Sequence, residues 1–257
     1  MLNNPRDAAV SAEMRANQAD PLIMYLVARR ELLPQTALDE ILAISATTVV
    51  AADRRFAAEA RYADLFAQWH ALSYRKVTLR AKENEWARLL RDFELCSGQR
   101  SDGEPLLAVL PVRRKSEVEA WLRGLQVLDQ ALPAYPPSFA PARSEPAALL
   151  ALNPGLSMSL GKAMAQVGHA GLMLADAALE LPGGADWAPD LAAWAAAGYP
   201  FELLQPSLNG WAAAEQIPSV AVVDAGLTEI AAGSRTVLAS RPAQATERRV
   251  WAKLLQV

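Results

Sequence analysis

The sequence predicts an α/β protein made of two tandem copies of a mixed-sheet α/β/α layered domain, which pack together as a pseudo-dimer. Short apolar segments that are typical of strands alternate with helical segments along the chain. Rare aromatic residues recur in the two halves at near-constant spacing. A proline-rich segment, residues 133–146, separates the halves and has the composition of a linker.

The repeat is most evident in the tryptophans, which recur at matching positions of the two halves. Residues 67–87 align without a gap with residues 192–212 at an offset of 125, and residues 121–127 align with residues 251–257 at an offset of 130. Six of the seven tryptophans pair in this way, so chance is a poor explanation. The offset changes between residues 92 and 107. The first copy is therefore predicted to be five residues shorter in this segment, which joins its short tryptophan-bearing helix to the next strand.

The predicted division of the chain follows from this repeat. It consists of a polar N-terminal tail at residues 1–20, a degenerate first copy at 21–132, the linker at 133–146 and a second copy at 147–257. In each copy we expect a buried strand, a long helix, a second strand, a short helix with a tryptophan, a further strand and a final amphipathic helix.

The expected strands of the first copy are Pro21–Ala28, Arg75–Ala81 and Pro105–Pro111, with a long helix at Thr36–Ala60. Those of the second copy are Ala147–Asn153, Pro200–Pro206, Ser219–Gly226 and Arg235–Arg241, with a long helix at Gly161–Leu179. The strand at Ser219–Gly226 is predicted for the second copy alone.

Composition and charge narrow the possible functions. The 257 residues have a formal net charge of −3 and include one cysteine and two histidines. An intrachain disulfide is therefore excluded, and a zinc site built from Cys and His is not expected. The polar N-terminus and the lack of an apolar run of about 20 residues predict neither a signal peptide nor a membrane span. We therefore expect a cytoplasmic protein that binds no metal or other cofactor, no DNA and no membrane.

The first chemical motif is MSLGKAMAQVGHA, residues 158–170. Gly161 and Lys162 are expected at the N-terminus of a helix, where free N–H groups and a positive charge suit an anionic oxygen. Gln166 follows Lys162 by four residues and so lies on the same helix face. A solvated lysine on a packed helix explains Gly161 and Lys162 equally well, and His169 is better explained as a hydrogen-bonded packing residue than as a base.

The second motif is VVDAGLTEIAAGSRTVLAS, residues 222–240. Asp224 ends an apolar strand just before a turn at Gly226, and Thr228 follows in the same loop. Carboxylates often form such turns, but strand ends in α/β folds are also where the chemistry is placed. Glu229 is interpreted as a solvated turn residue. The sequence contains no glycine-rich phosphate-binding motif and no Gly-x-Ser-x-Gly motif.

Together the two motifs resemble those of the peptidyl-tRNA hydrolase type II family, over about residues 146–241. The resemblance implies a four-stranded mixed sheet with helices on both faces. It also implies hydrolysis, without a metal, of the ester that joins a peptide to the 3′ end of tRNA. The implied catalytic residues are Lys162, Asp224 and Thr228, and the implied substrate-binding residues are Gln166, Gly161 and Gly226. Lys162 would stabilise negative charge, and either Asp224 or Thr228 would act on the attacking water.

Two features depart from the family pattern. Residues 146–240 contain two basic and eight acidic side chains, a net charge of −6, whereas tRNA binding depends on positive charge. The first copy has Thr36 and Ala37 where the second has Gly161 and Lys162. Three hypotheses remain open: a hydrolase whose first copy is structural or binds tRNA, a binding protein that recognises tRNA ends or a protein partner, and an unrelated hydrolase.

The hydrolase hypothesis makes a geometric prediction. Lys162, Asp224 and Thr228 should line a single open cleft, with Gln166 at its edge. The side chains of Lys162 and Asp224 are expected to be largely solvated.

Overall fold

The computed structural model describes residues 18–72, 74–132, 145–177, 184–216, 219–226 and 228–255. Most of the predicted N-terminal tail and of the predicted linker lies outside these residues. We refer to residues 18–132 as the first half and to residues 145–255 as the second half. The boundaries that the sequence predicts for the domains stay predictions.

The strands of the first half are β1 (Leu22–Arg29), β2 (Lys76–Ala81), β3 (Cys96–Gln99), β4 (Pro105–Val109), β5 (Arg113–Arg114) and β6 (Gln126–Val127). Its α-helices are α1 (Leu38–Ala57), α2 (Ala60–Leu72), α3 (Glu83–Asp92) and α4 (Ala120–Arg123). Short 3-10 helices cover Leu33–Gln35 and Lys115–Glu117.

The strands of the second half are β7 (Ala148–Leu152), β8 (Phe201–Leu204), β9 (Ser219–Val223) and β10 (Arg235–Ser240). Its α-helices are α5 (Leu160–Ala175), α6 (Ala188–Ala196), α7 (Leu208–Ala214) and α8 (Ala245–Leu255), and a 3-10 helix covers Gly184–Trp187. None of the helices in the described parts of the chain is long and apolar enough to cross a membrane.

The two halves contain mixed sheets of the same core topology. The order is β3-β4-β1-β2 in the first half, extended by β6, and β9-β10-β7-β8 in the second. In the first sheet β1 is parallel to β2 and antiparallel to β4. In the second sheet β7 is likewise parallel to β8 and antiparallel to β10. Both edge pairs, β3–β4 and β9–β10, are antiparallel and have a register shift close to the connecting loop.

A second shared feature is the turn that leads from helix α2 into β2 and from helix α6 into β8. Tyr74 and Tyr199 both have a positive φ, at 47° and 61°, which is unusual for a residue with a side chain. The indole of Trp69 donates to the carbonyl of Arg75 at 3.0 Å, and the indole of Trp194 donates to the carbonyl of Pro200 at 2.8 Å. The tryptophans that the repeat aligns therefore hold the same kind of turn.

Helices α1 and α5 lie side by side between the two sheets. Each packs on its own sheet and also on the other one, α1 on β8 and α5 on β2. A Cβ on Gly171 of α5 would lie 2.8 Å from a methyl of Val50 in α1, so the glycine allows this close approach. One apolar core cluster contains buried residues of both halves. Helices α3 and α4 contribute to a separate cluster in the first half, and α7 contributes to another in the second half.

The structure corrects two expectations. The strand predicted for the second copy alone has a counterpart, because β3 pairs with β4 as β9 pairs with β10. The helix α2 was not predicted as a separate element. The loop between β9 and β10, residues 224–234, has eleven residues against five in the loop 100–104.

Candidate active site

The first component of the site is the N-terminus of α5. The helix begins after Ser159, whose side-chain oxygen accepts a hydrogen bond from the backbone N–H of Lys162 at 3.1 Å. Such a cap satisfies one of the N–H groups that have no partner within the helix. Lys162 and Gln166 then lie one turn apart on the same face.

The second component is the loop between β9 and β10. The backbone N–H of Asp224 donates to the carbonyl of Ser234 at 2.8 Å, and the N–H of Gly233 donates to the carbonyl of Asp224 at 2.8 Å. Gly226 has a φ of 74°, and a Cβ there would lie 2.7 Å from the Cβ of Ala232. The loop is thus closed at its base, and a side chain at position 226 would disturb it.

These two components bring five of the six predicted residues together. The ammonium of Lys162 forms an ion pair with Oδ2 of Asp224 and donates to the hydroxyl of Thr228 at 3.0 Å. The amide of Gln166 donates to the same Oδ2 of Asp224 at 2.6 Å. The N–H of Gly226 donates to Oδ1 of Asp224 at 2.8 Å. The proximity that the hydrolase hypothesis requires is therefore present.

The site is more enclosed than the sequence suggested. The side chain of Asp224 is 3% exposed and that of Lys162 is 14% exposed, so the expectation that both are largely solvated is wrong. Gln166 is buried beneath Lys162 instead of lying at the edge of a cleft, and its Oε1 has no hydrogen-bond partner among the described residues. Thr228 is exposed. The four residues form a stack that leads from solvent at Thr228 to the buried amide of Gln166.

Glu229 is a structural residue of the site that the sequence did not reveal. Its carboxylate accepts hydrogen bonds from the hydroxyl of Ser159 at 2.7 Å and from the backbone N–H of Ser159 at 3.0 Å. It therefore joins the loop that carries Thr228 to the cap of the helix that carries Lys162. Glu229 is exposed, as expected of a solvated turn residue, but the sequence did not predict its hydrogen bonds with Ser159, to which only the capping potential of Ser159 pointed.

Gly161 does not face the stack. Its N–H donates to the carbonyl of Leu128 in the first half at 3.0 Å, and a Cβ would lie 2.2 Å from that oxygen. The backbone N–H that was expected to approach a ligand is thus already bonded within the protein. The N–H of Gly226 is likewise bonded to Asp224, so both glycines shape the site through packing and turn geometry.

His169 packs between the halves, as the sequence favoured. Its Nδ1 lies 3.1 Å from the ammonium nitrogen of Lys76, and its ring contacts the ring of Tyr74 edge to face. Burial lowers the pKa of His169 well below its ordinary value, and the neighbouring charges of Lys76 and Lys162 act in the same direction.

The first half has a different residue at the position of Asp224. The N–H of Arg100 donates to the carbonyl of Glu104 at 2.9 Å, and the N–H of Gly103 donates to the carbonyl of Arg100 at 2.9 Å, which repeats the pattern at the base of the longer loop. Arg100 forms an ion pair with Asp102 at 3.0 Å. A carboxylate site like that of Asp224 is therefore absent from this loop.

The chemistry of the stack is set by the groups at its exposed side. Among the described residues, no group of three or more His, Cys, Asp or Glu side chains is arranged to hold a metal ion. The groups that reach the exposed side are an ammonium and a hydroxyl, from Lys162 and Thr228. They can donate hydrogen bonds to an oxygen on which negative charge develops.

The family relationship agrees with this geometry. Residues 147–256 match the family model of Peptidyl-tRNA hydrolase PTH2. No curated protein matched the chain. The matched residues include both components of the site and all the strands and helices of the second half. The C-terminal half of this chain is therefore similar to the peptidyl-tRNA hydrolase PTH2 family.

Proposed function

We propose that the second half hydrolyses the ester between a peptide, or an N-blocked amino acid, and the 3′ end of tRNA. The observation that carries this proposal is the bonding of Lys162 to both Asp224 and Thr228 at one end of α5. The family match supports the same reaction. Water attacks the ester carbonyl carbon, the bond from that carbon to the ribose oxygen breaks, and a carboxylic acid and the free tRNA end are released.

Lys162 supplies positive charge to this reaction. Its ammonium is held in place before the substrate binds, by Asp224 from within and by Thr228 from the exposed side. Charge that is already oriented toward a developing oxyanion lowers the barrier more than mobile charge does, because it needs no reorganisation. A partly enclosed position strengthens the interaction further.

Asp224 orients Lys162 in this proposal. Its Oδ2 accepts hydrogen bonds from Lys162 and Gln166, and its Oδ1 accepts one from Gly226. Because a carboxylate oxygen has about two acceptor positions, only Oδ1 has one left for a water. These contacts favour a positioning carboxylate over a general base.

Thr228 and Gln166 complete the site from opposite sides. The hydroxyl of Thr228 accepts a hydrogen bond from Lys162 and keeps its own hydrogen, which can bind the attacking water or a ribose oxygen. Gln166 holds Asp224 through its amide nitrogen, and its Oε1, which lacks a partner among the described residues, can accept a hydrogen bond from a water that enters the stack.

The first half is a second, non-catalytic copy of the same domain in this proposal, and the halves pack as a pseudo-dimer within one chain. The matching strand order, the matching edge irregularities and the paired turns at Tyr74 and Tyr199 support a duplication. Ala37 and Arg100 in place of Lys162 and Asp224 support the loss of catalysis in this copy.

The proposal is tested by incubating the purified chain with N-acetyl-aminoacyl-tRNA and measuring the release of free tRNA. We expect catalytic release that is lost in Lys162→Ala. Binding of the substrate without release, by both proteins, would reject hydrolysis and favour the alternative function, a non-catalytic protein that recognises tRNA ends.

A further inference from the structure

The first half holds the N-terminus of the helix that carries Lys162. The N–H of Leu160 donates to the carbonyl of Gln130 at 2.8 Å, and the N–H of Gly161 donates to the carbonyl of Leu128 at 3.0 Å. In the opposite direction, the hydroxyl of Thr78 in β2 donates to the carbonyl of Gly161 at 3.0 Å. The backbone N–H and the carbonyl of Gly161 are thus both hydrogen-bonded to the first half.

Thr78 is the one side chain in this set of contacts, and it is 5% exposed. Its own carbonyl accepts a hydrogen bond from the N–H of Leu128 at 3.0 Å, which fixes the segment that in turn bonds Gly161. A Cβ on Gly161 would collide with the carbonyl oxygen of Leu128. The first turn of α5 therefore fits closely against a preformed surface of β2 and residues 128–132.

The next residue after Gly161 is Lys162, whose ammonium must lie within hydrogen-bond reach of Thr228. Helix ends fray easily because their first N–H groups lack partners inside the helix. A displacement of about 1 Å in a catalytic group can lower the rate by about two orders of magnitude. The bonds from the first half keep the turn in one position.

We propose that Thr78 is a positioning residue for catalysis in the second half. Its hydroxyl fixes the peptide of Gly161 and thereby the place of the Lys162 ammonium. The proposal rests on the hydrolase function proposed above and adds a specific task for the first half, which contributes to the site without touching the substrate.

The chain offers a matched control for this side chain. Thr47 in α1 also donates its hydroxyl across the halves, to the carbonyl of Tyr199, and this bond is also 3.0 Å long. Tyr199 precedes β8, while the site follows β7 and begins α5. Thr47→Val therefore removes a hydrogen bond of the same type and length between the halves, but not at the turn of Lys162.

The kinetic test compares Thr78→Val, Thr78→Ser and Thr47→Val on N-acetyl-aminoacyl-tRNA. Thr78→Val should lower kcat by about tenfold with KM changed less than about twofold, because the ammonium is displaced while the substrate contacts remain. Thr78→Ser should restore most of kcat, and Thr47→Val should stay within about twofold of the parent protein. Equal kcat in the two valine variants would overturn the proposal, as would a serine variant as slow as Thr78→Val.

Amide hydrogen exchange over residues 157–166 tests the positioning without reference to activity. Thr78→Val should raise exchange at this turn by about tenfold over Thr47→Val, because local opening becomes easier. Equal exchange in the two variants would overturn the proposal. If the parent protein releases no tRNA, the hydrolase function fails, and the exchange measurement alone then decides whether Thr78 holds the turn.

Discussion

At the scale of single residues, the site depends on links between two segments that are far apart in sequence. The ion pair between Lys162 and Asp224 is one link, and the hydrogen bonds from Ser159 to Glu229 are another. Because Glu229 follows Thr228 directly, the second link also places the Thr228 hydroxyl over the ammonium. Loss of either link should therefore displace the Lys162 ammonium or the Thr228 hydroxyl at the exposed side of the stack.

Replacing Glu229 tests this view. Glu229→Ala should lower kcat on N-acetyl-aminoacyl-tRNA by about tenfold, because the loop and the helix cap are no longer joined. Glu229→Gln retains one acceptor oxygen for Ser159 and should fall between the parent and the alanine variant. Glu215→Ala, which removes an exposed ion pair with Arg235, serves as the control and should change kcat less than about twofold. If Glu229→Ala were as active as this control, Glu229 would not be needed to join the loop to the helix cap.

The sequence predicted which residues meet but not how deeply they are buried. Lys162, Gln166, Asp224 and Thr228 stand in two recognisable motifs, so their proximity could be expected. The burial of Asp224 and Gln166 depends on the packing of the loop on α5, which no local pattern records. The position of Gly161 depends on contact with Leu128, about thirty residues upstream and in the other half.

At the scale of elements, the last helix is attached to the second sheet by a buried charge pair. Arg248 in α8 is fully buried and forms two hydrogen bonds of 3.0 Å with the carboxylate of Glu202 in β8. It also donates to the carbonyls of Glu145 and Ala243. The planar guanidinium thus joins α8, β8 and the chain that enters β7.

Removing one partner of this pair should be costly. We expect Arg248→Ala to lower the free energy of unfolding by about 3–5 kcal/mol, because the carboxylate of Glu202 stays buried without its counter-charge. Denaturant unfolding measures this change. The control is Arg241→Ala, whose exposed ion pair with Asp190 should contribute about 1 kcal/mol or less. Similar losses in the two variants would show that the burial of Arg248 has no such consequence.

The sequence predicted the elements with strong patterns and missed those without them. Strands β1 and β7 are continuous apolar runs because helices cover both of their faces. Strand β3 has the sequence CSGQ, in which only Gly98 is buried. Its sequence alone therefore does not predict a strand, which forms only through pairing within the sheet. The final helix was predicted for both halves, but in the first half α4 is only four residues long.

At the scale of the whole molecule, polar side chains are buried where the halves meet. Lys76 of β2 faces His169 of α5, and Asp53 lies close enough to favour the charged form of Lys76. Burial nevertheless lowers the pKa of Lys76 well below its ordinary value, as it does that of His169. The ring of Tyr74 also packs edge to face against the ring of His169.

This contact predicts how stability depends on pH. The imidazole of His169 in the unfolded chain takes up a proton near its ordinary pKa of 6.5, whereas the folded protein resists protonation to a lower pH. Its contribution to stability is therefore complete above about pH 6.5 and falls as the pH decreases toward the folded pKa, by up to about 1.4 kcal/mol per pH unit. In His169→Asn the unfolding free energy should fall less steeply between pH 7 and pH 5. Parallel curves for the two proteins would contradict the prediction.

The most direct test of the central claim is the rate of tRNA release from N-acetyl-aminoacyl-tRNA by the parent chain, Lys162→Ala and Asp224→Ala. We expect each substitution to remove about 2–4 kcal/mol of transition-state stabilisation, a fall in kcat/KM of about 30- to 900-fold. Circular dichroism of each variant checks that it is folded, which matters most for the buried Asp224. The account is contradicted if the parent chain releases no tRNA, or if folded Lys162→Ala releases it at the parental rate.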